Sequence, residues 1–410
     1  MEAAAFDFTT VLREDLPPPA VRWGGFPQHN FVGGHNAPEG IPVEELIDSA
    51  TRVLAREGQT LATYSLESGP LGYLPLREFL VGKLKRHASI DCSAEEILLT
   101  SGSLQGIDLI NQVLLAPGDR VIVEEACYGG CFTRFQRLGV TPIGIPGDRD
   151  GMRMDALSDS LDRLRSEGVA PKYIYTIPTI QNPTASIMSL ERRKELIALA
   201  VAHGVPIFED ECYSDLIWDG RRPPAIYALD ESARTVFVGS FSKSIAPALR
   251  VGYVVAPWSF LSRLLACKID AGSGALEQML LADYCARHFD SHVTALNQAL
   301  KAKLDALTEA LGEHFGTAAE FDPPKGGIFL WVKLPPAVDT TRLAQVAAAE
   351  GVAVNPGEEW SIEGEDARRA LRICYANPPV ETIRAGIAKL AEICHREFGV
   401  PERSANVERR

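Results

Sequence analysis

The sequence predicts an α/β protein: a large domain built on a mostly parallel sheet flanked by helices, followed by a smaller α+β domain. Short apolar, β-branched runs alternate with helix-period runs over some 200 residues, which is the pattern of βα units. Beyond about residue 258 that alternation gives way to longer helical runs with fewer strands. The 410 residues, 46% hydrophobic and 23% charged, are enough for two domains with a large core.

Residues 1–45, rich in Pro and Gly ("DLPPPAVRWGGFPQHNFVGGHNAPEGIP"), read as an irregular arm that packs with the small domain. The large domain is expected over 46–290. "PVEELIDSATRVLARE" and "LREFLVGKLKRHA" are helical, and "EILLTSG" is a short strand ending in small residues. "SLQGIDLINQVLL" has helical spacing and "DRVIVEE" is a strand. "CFTRFQRLG" (helix), "TPIGIP" (strand), "MDALSDSLDRLRSEG" (helix) and "KYIYTIP" (strand) follow. "SLERRKELIALAVAHG" is a helix opened by a serine cap, with Glu191 in its first turn. "VPIFEDE", "TVFVG" and "VGYVVAP" read as buried strands. In the small domain, 291–410, "HVTALNQALKAKLDALTEALGEHF" is one long helix. "GGIFLWVKLP", the helix "TTRLAQVAAAEG", "VAVNPG", "ALRICYAN" and the helix "VETIRAGIAKLAEICHREF" complete it, and the charged tail "VPERSANVERR" frays.

Lys plus Arg number 41 against 54 Asp plus Glu, a formal charge of −13. An acidic chain without a Lys/Arg-rich run argues against nucleic acid or anionic membrane as a partner. No apolar run has the length of a membrane span, and the start "MEAAAFDFTT" does not resemble a signal peptide. Eight cysteines, none in a CxxC pair, fit reduced thiols in a cytoplasmic protein and give no metal site. Cys127 and Cys131 are taken as packing.

In an open parallel sheet, ligands bind at the carboxyl ends of the strands. Ser101-Gly102-Ser103-Leu104 after "EILLT" is either an ordinary turn or a helix start whose free N–H groups favour phosphate. Tyr128 after "DRVIVEE" is a packing residue or a platform. Asn182, before a proline, is a turn residue or a ligand contact. Asp210, with Tyr213 three residues on, is a helix cap or the partner of a protonated ring nitrogen. In "GSFSKSIAPALRVGY" the chain leaves one strand, exposes Ser240, Ser242 and Lys243, and enters another strand past Arg250. Lys243 is a solvated loop lysine or a reactive amine. Taken together, these residues make the set that pyridoxal 5′-phosphate demands: an amine for a Schiff base, an acid for the pyridinium, donors for O3′, and N–H, hydroxyl and cationic groups for phosphate.

With those residues in place, the sequence resembles the fold-type-I, pyridoxal-phosphate-dependent class I/II aminotransferases, and within them the kynurenine and 2-aminoadipate aminotransferase subgroup. The resemblance spans roughly residues 30 to 395 and rests on "GSFSKSIAPALRVGY", "PTIQNPTASIMS", "EDECYSDL", "TSGSLQGIDL", "YSLESGPLGYLPLREFL", "GGIFLWVKLP" and "ALRICYAN". It implies a seven-stranded sheet and these roles. Lys243 binds the cofactor aldehyde and shuttles the substrate proton, Asp210 pairs with the pyridine nitrogen, and Tyr128 stacks on the ring. Asn182 and Tyr213 bond O3′. Ser103, Leu104, Ser240, Ser242 and Arg250 hold the phosphate, with Tyr64 reaching it from the other subunit of a homodimer. Arg372 with Asn182 clamps the substrate carboxylate, and Gly34 lies against the substrate. The implied activity moves an amino group from an L-amino acid to a 2-oxo acid by a ping-pong mechanism. Other fates of the carbanion (β-elimination, decarboxylation, oxidation) stay open, because a fold does not decide them. An aminotransferase-like regulator is the non-enzymatic alternative, although no helix-turn-helix fits the Pro/Gly-rich start. The departures are Ala185 after "NPT", Leu104 at a frequently polar position, and an arm carrying Trp23, His29, His35 and Asn36.

Overall fold

The computed structural model describes residues 5–14, 16–218, 222–362 and 365–401. Its centre is a seven-stranded sheet: β1 (Ile97–Thr100), β2 (Arg120–Glu124), β3 (Thr141–Ile145), β4 (Ile174–Thr176), β5 (Ile207–Asp210), β6 (Thr235–Ser240) and β7 (Gly252–Val255). The spatial order is β1-β7-β6-β5-β4-β2-β3. The neighbours from β3 to β6 are parallel, and only β7 runs against the others. This is the mostly parallel sheet the alternating runs predict.

These runs form interior strands because both faces are covered. Along β2, Val121 and Val123 join one hydrophobic cluster and Ile122 another. Along β7, Val254 faces the first while Tyr253 and Val255 face a third. The period of two places alternate residues on opposite faces, and helices on both sides keep them dry. The covering helices include α1 (Val43–Glu57), α2 (Leu74–Ala88), α3 (Gly102–Leu114), α4 (Gly129–Leu138), α5 (Met154–Ser166), α6 (Leu190–His203) and α7 (Trp258–Cys267). The expected serine cap of α6 is present: Ser189 Oγ accepts from Arg192 N at 3.3 Å.

The helix α8 covers Ala275–His314, about 60 Å at 1.5 Å per residue. It starts well before "HVTALNQ", because "ALEQMLLADYCARHFDS" has neither Gly nor Pro to stop it. Position 290/291, the expected domain boundary, lies inside this helix. Its first half packs Met279, Leu281 and Tyr284 beside the large sheet. Its second half packs Leu300, Leu304 and Leu307 into the cluster that also holds Ile383 and Ile387 of α10 (Val380–Phe398). With α9 (Thr340–Ala349), α10 covers a three-stranded antiparallel sheet of β8 (Phe329–Lys333), β9 (Asn355–Pro356) and β10 (Ala370–Cys374), ordered β8-β10-β9.

The arm joins this smaller unit through a short strand and several side-chain contacts, Asn377 Nδ2 donating to Asn36 O at 3.0 Å among them. His29–Asn30 pairs in parallel with Val352–Ala353. Phe31 is fully buried, its N–H donating to Ala353 O and its carbonyl accepting from Cys374 N, each at 2.9 Å. Upstream, Trp23 and Phe26 are exposed. Among the described residues no helix is long and apolar enough to cross a membrane.

Candidate active site

The carboxyl ends of β1, β5 and β6 converge on the turn that carries Lys243. Ser240 ends β6 at 4% exposure and Ser242 follows at 8%. The expectation that this turn exposes Ser240, Ser242 and Lys243 is therefore corrected: both serines are buried and Lys243 is half-buried. Residues 33–37 lie across the lysine and the backbone after it. Lys243 Nζ donates to Gly34 O at 2.7 Å, and Asn36 Nδ2 donates to Lys243 O at 3.2 Å. A Cβ on Gly34 would come within 2.8 Å of that amine, so only glycine leaves the nitrogen its place. Burial pulls the Lys243 amine below its ordinary pKa, because a low-polarity setting disfavours the cation.

Asp210, the last residue of β5, is buried. Tyr175 OH donates to Oδ2 at 2.7 Å and Cys212 N to Oδ1 at 3.3 Å; the latter is a local turn contact and no helix starts at Asp210. Burial holds this carboxyl above its usual range. Asp210 pairs with Val238 of the adjacent β6, which puts the acid at the strand end beside the turn that carries Lys243. Among the described residues neither forms an ion pair.

Three segments meet closely where β1 becomes α3. Gly102 has φ +74°, and a Cβ there would overlap the Arg250 guanidinium. Arg250 donates to Pro247 O at 3.1 Å and reaches Ser101 O at 3.5 Å. Gly252 pairs with Thr100 on one side and Ser240 on the other, and a Cβ on it would overlap Ser103 N. The first turn of α3, with Ser103 and Leu104, the Ser240–Ser242 turn (Ser242 N donates to Ser240 Oγ at 3.0 Å) and Arg250 are thus neighbours. First-turn N–H groups have no intrahelical acceptor, which suits an anion.

Arg372 of β10 is 3% exposed. It donates to Asn182 Oδ1 at 3.2 Å, Gly33 O at 3.0 Å and Asn355 Oδ1 at 2.8 Å, and its Nε is buried with no partner among the described residues. Burial pulls its pKa down to about 10, which leaves it a cation at neutral pH. Asn182 Nδ2 in turn donates to Tyr213 OH at 3.3 Å. Tyr128 is half-buried, and its ring meets that of Trp360, with centroids 6.1 Å apart. The structure therefore gathers Lys243, Asp210, Asn182, Tyr213, Tyr128, Gly34 and Arg372 with the three segments that meet at the start of α3. Tyr64 stands apart at 83% exposure. Sequence reasoning missed Tyr175 on Asp210, and Asn355, Phe329 and Trp360 around Arg372. The one available signal was a pair of aromatics within otherwise aliphatic or acidic small-domain segments.

Glu124, ending β2, is buried beneath the Asn182 loop. It accepts from Thr176 Oγ1 (2.9 Å), Ile177 N (3.2 Å) and Gln181 Nε2 (3.1 Å), and Gln181 Oε1 accepts from Thr184 N at 2.8 Å. Burial pushes this carboxyl from 4.5 up to about 7, and Glu209 is raised by burial too. Within that window the folded state keeps a proton that the unfolded chain has released, so stability falls as pH rises through it. The thermal midpoint is expected to drop between about pH 5 and pH 8, and less steeply in Glu124→Gln. Calorimetry across that range measures it, and an unchanged slope in the variant would remove Glu124 as a source.

The family model described as aminotransferase class I and II matches residues 34–390. An aromatic-amino-acid aminotransferase of Thermococcus litoralis is 34% identical over 90% of this chain and 88% of its own length. A 2-aminoadipate transaminase of Thermus thermophilus is 32% identical over 88% of each chain. The crystal structure of a multiple substrate aminotransferase from Thermococcus profundus covers 96% of this chain and 100% of its own, with TM-score 0.88 and 32% identity. An uncharacterized HTH-type transcriptional regulator of Bacillus subtilis is 33% identical over 82% of this chain and 69% of its own length.

Proposed function

This chain belongs to the class I and II aminotransferases, and from that premise we propose that it moves an amino group from an L-amino acid to a 2-oxo acid in two half-reactions, with pyridoxal 5′-phosphate as cofactor. One observation carries the reading: an amine (Lys243), an acid (Asp210) and a guanidinium (Arg372) surround one space, and among the described residues none has an ion-pair partner. Burying charge without a counter-charge is costly, so the space suits a ligand that brings the missing ones.

The donor set fits the cofactor. Asp210 would hold the pyridine nitrogen and Tyr128 the ring face. Asn182 and Tyr213 would hold the phenolic oxygen. Ser103, Leu104, Ser240, Ser242 and Arg250 would hold the phosphate, joined by Tyr64 of a second copy in a homodimer. When bound, this group supplies an electron sink for the pair left on the substrate's α-carbon.

The chain's own residues do the rest. Arg372 and Asn182 orient the substrate by its α-carboxylate, and a planar guanidinium suits that group. Lys243 Nζ, with its basicity lowered by burial, takes the α-proton, as an amine tuned toward neutrality does best, and would deliver it to the cofactor carbon that carried the aldehyde, the reverse transfer completing the second half-reaction. Donor and acceptor both carry an α-carboxylate and would use the same arginine, so they visit in turn; that supports the ping-pong order. The acidic composition and eight free cysteines support a cytoplasmic place.

The test is a half-reaction. The holoprotein mixed with a panel of amino acids, without an acceptor, is expected to release one equivalent of 2-oxo acid per site and then stop. Adding 2-oxoglutarate should restart turnover. Continuous release of ammonia with pyruvate, of carbon dioxide or of hydrogen peroxide would overturn transamination in favour of another carbanion fate.

A further inference from the structure

The guanidinium of Arg372 lies between two aromatic rings. Its Cζ is 3.9 Å from the Phe329 ring centroid and 3.5 Å from that of Trp360. Two rings cannot share one face of a planar group at such distances, so they cover opposite faces. Only the in-plane edges remain available. The two Nη atoms are partly used by Gly33, Asn182 and Asn355, while Nε has no partner among the described residues.

Trp360 owes its place to an interdomain latch. Residues 359–362 lie between β9 and β10 of the small unit, yet their backbone bonds to the large one. Cys127 N donates to Trp360 O at 2.8 Å, Ile362 N donates to Glu125 O at 3.1 Å, and Ser361 bridges Ala126 antiparallel. Gly129 permits this approach, since a Cβ there would overlap Glu359 O. The indole also meets Tyr128, with centroids 6.1 Å apart at 45°, and its Nε1 is buried without a partner.

We propose that Trp360 is a positioning residue for substrate: clamped between the domains, it fixes the guanidinium plane of Arg372 so that a carboxylate can bind only edge-on. This rests on the reading that Arg372 receives the α-carboxylate. The stacked guanidinium loses rotational freedom before substrate arrives, and a pre-ordered donor binds more tightly for that reason. Stacking on aromatic faces also suits arginine's weakly hydrated, delocalised charge.

The test uses 2-oxoglutarate with the unreacted holoprotein, where no amino group is available for turnover, and measures binding by isothermal titration. Trp360→Leu keeps apolar bulk and removes the aromatic face; Trp360→Phe keeps a face. The leucine variant is expected to bind about tenfold more weakly and to raise KM for donor and acceptor alike, with kcat changed less than about threefold. The phenylalanine variant should recover most of the affinity. Parent-like binding by Trp360→Leu, while Arg372→Lys is weakened, would overturn the proposal and leave the arginine reading intact. Parent-like binding by both would overturn the two together. If Trp360→Leu does not fold, Phe329→Leu tests the opposite face of the same sandwich, with the same expected loss and the same overturning result.

Discussion

Lys243→Ala is expected to lower turnover by at least about 10⁴-fold while leaving the protein folded. On the proposed reading two losses combine: the amine that would attach the cofactor, and the base that would move the α-proton, a role worth roughly 10²–10⁴ on its own. Stability should hold or rise, because among the described residues this amine has only the Gly34 carbonyl, at 2.7 Å, as a hydrogen-bond partner, and an unpaired buried cation is a cost. The measurements are the half-reaction rate, covalent retention of cofactor by mass spectrometry after borohydride reduction, and the thermal midpoint. Added methylamine should return part of the proton transfer, since the alanine leaves room at the vacated nitrogen. Turnover within tenfold of the parent would take Lys243 out of the chemistry.

Asp210→Asn is expected to slow the half-reaction by about 10²- to 10³-fold. Losing one member of a buried charge pair costs roughly 3–5 kcal/mol, and every 1.4 kcal/mol is about tenfold. The amide keeps the site's shape: one end can still accept from Cys212 N, and the other can face the Tyr175 hydroxyl, which also accepts. What disappears is the negative charge that, on the proposed reading, would keep a ring nitrogen protonated. Stability without cofactor should rise, because burial already penalises this carboxylate, whereas stabilisation by added cofactor should shrink. Single-turnover kinetics and paired melts with and without pyridoxal 5′-phosphate separate the two effects. A parent-like rate would mean the acid has no part in the electron sink.

Much of the site could be read before the fold. Lys243, Asp210, Asn182 and Ser103 each follow a β-branched run, and sheet physics sends such positions to one edge. Their order along the chain also carried the family resemblance, and the relatives fall in the expected subgroup. The Ser240–Lys243 turn shows where that reading stopped. Its small polar residues look solvent-facing, but the two serines are buried at the strand end and Lys243 is covered by residues 33–37, some 200 positions away in the chain. Nothing local to either segment records that contact. The start of α8 at Ala275 was missed although Gly274 caps it and the strong helix formers "ALEQMLLA" follow; what that segment packs against, which makes it one helix with the part from His292 onward, is set by the large sheet.

The surroundings of Arg372 lay furthest out of reach. Asn182, Asn355, Phe329 and Trp360 come from four separate segments, and the latch at 359–362 forms only once the two units are packed together. From its residues alone, this chain determined its strands, its helices and which side chains stand at strand ends, because periodicity and backbone preference act over a few neighbours. The tertiary structure alone decided which charges lose water and which ring covers which cation, because desolvation and stacking depend on what distant segments bring into contact.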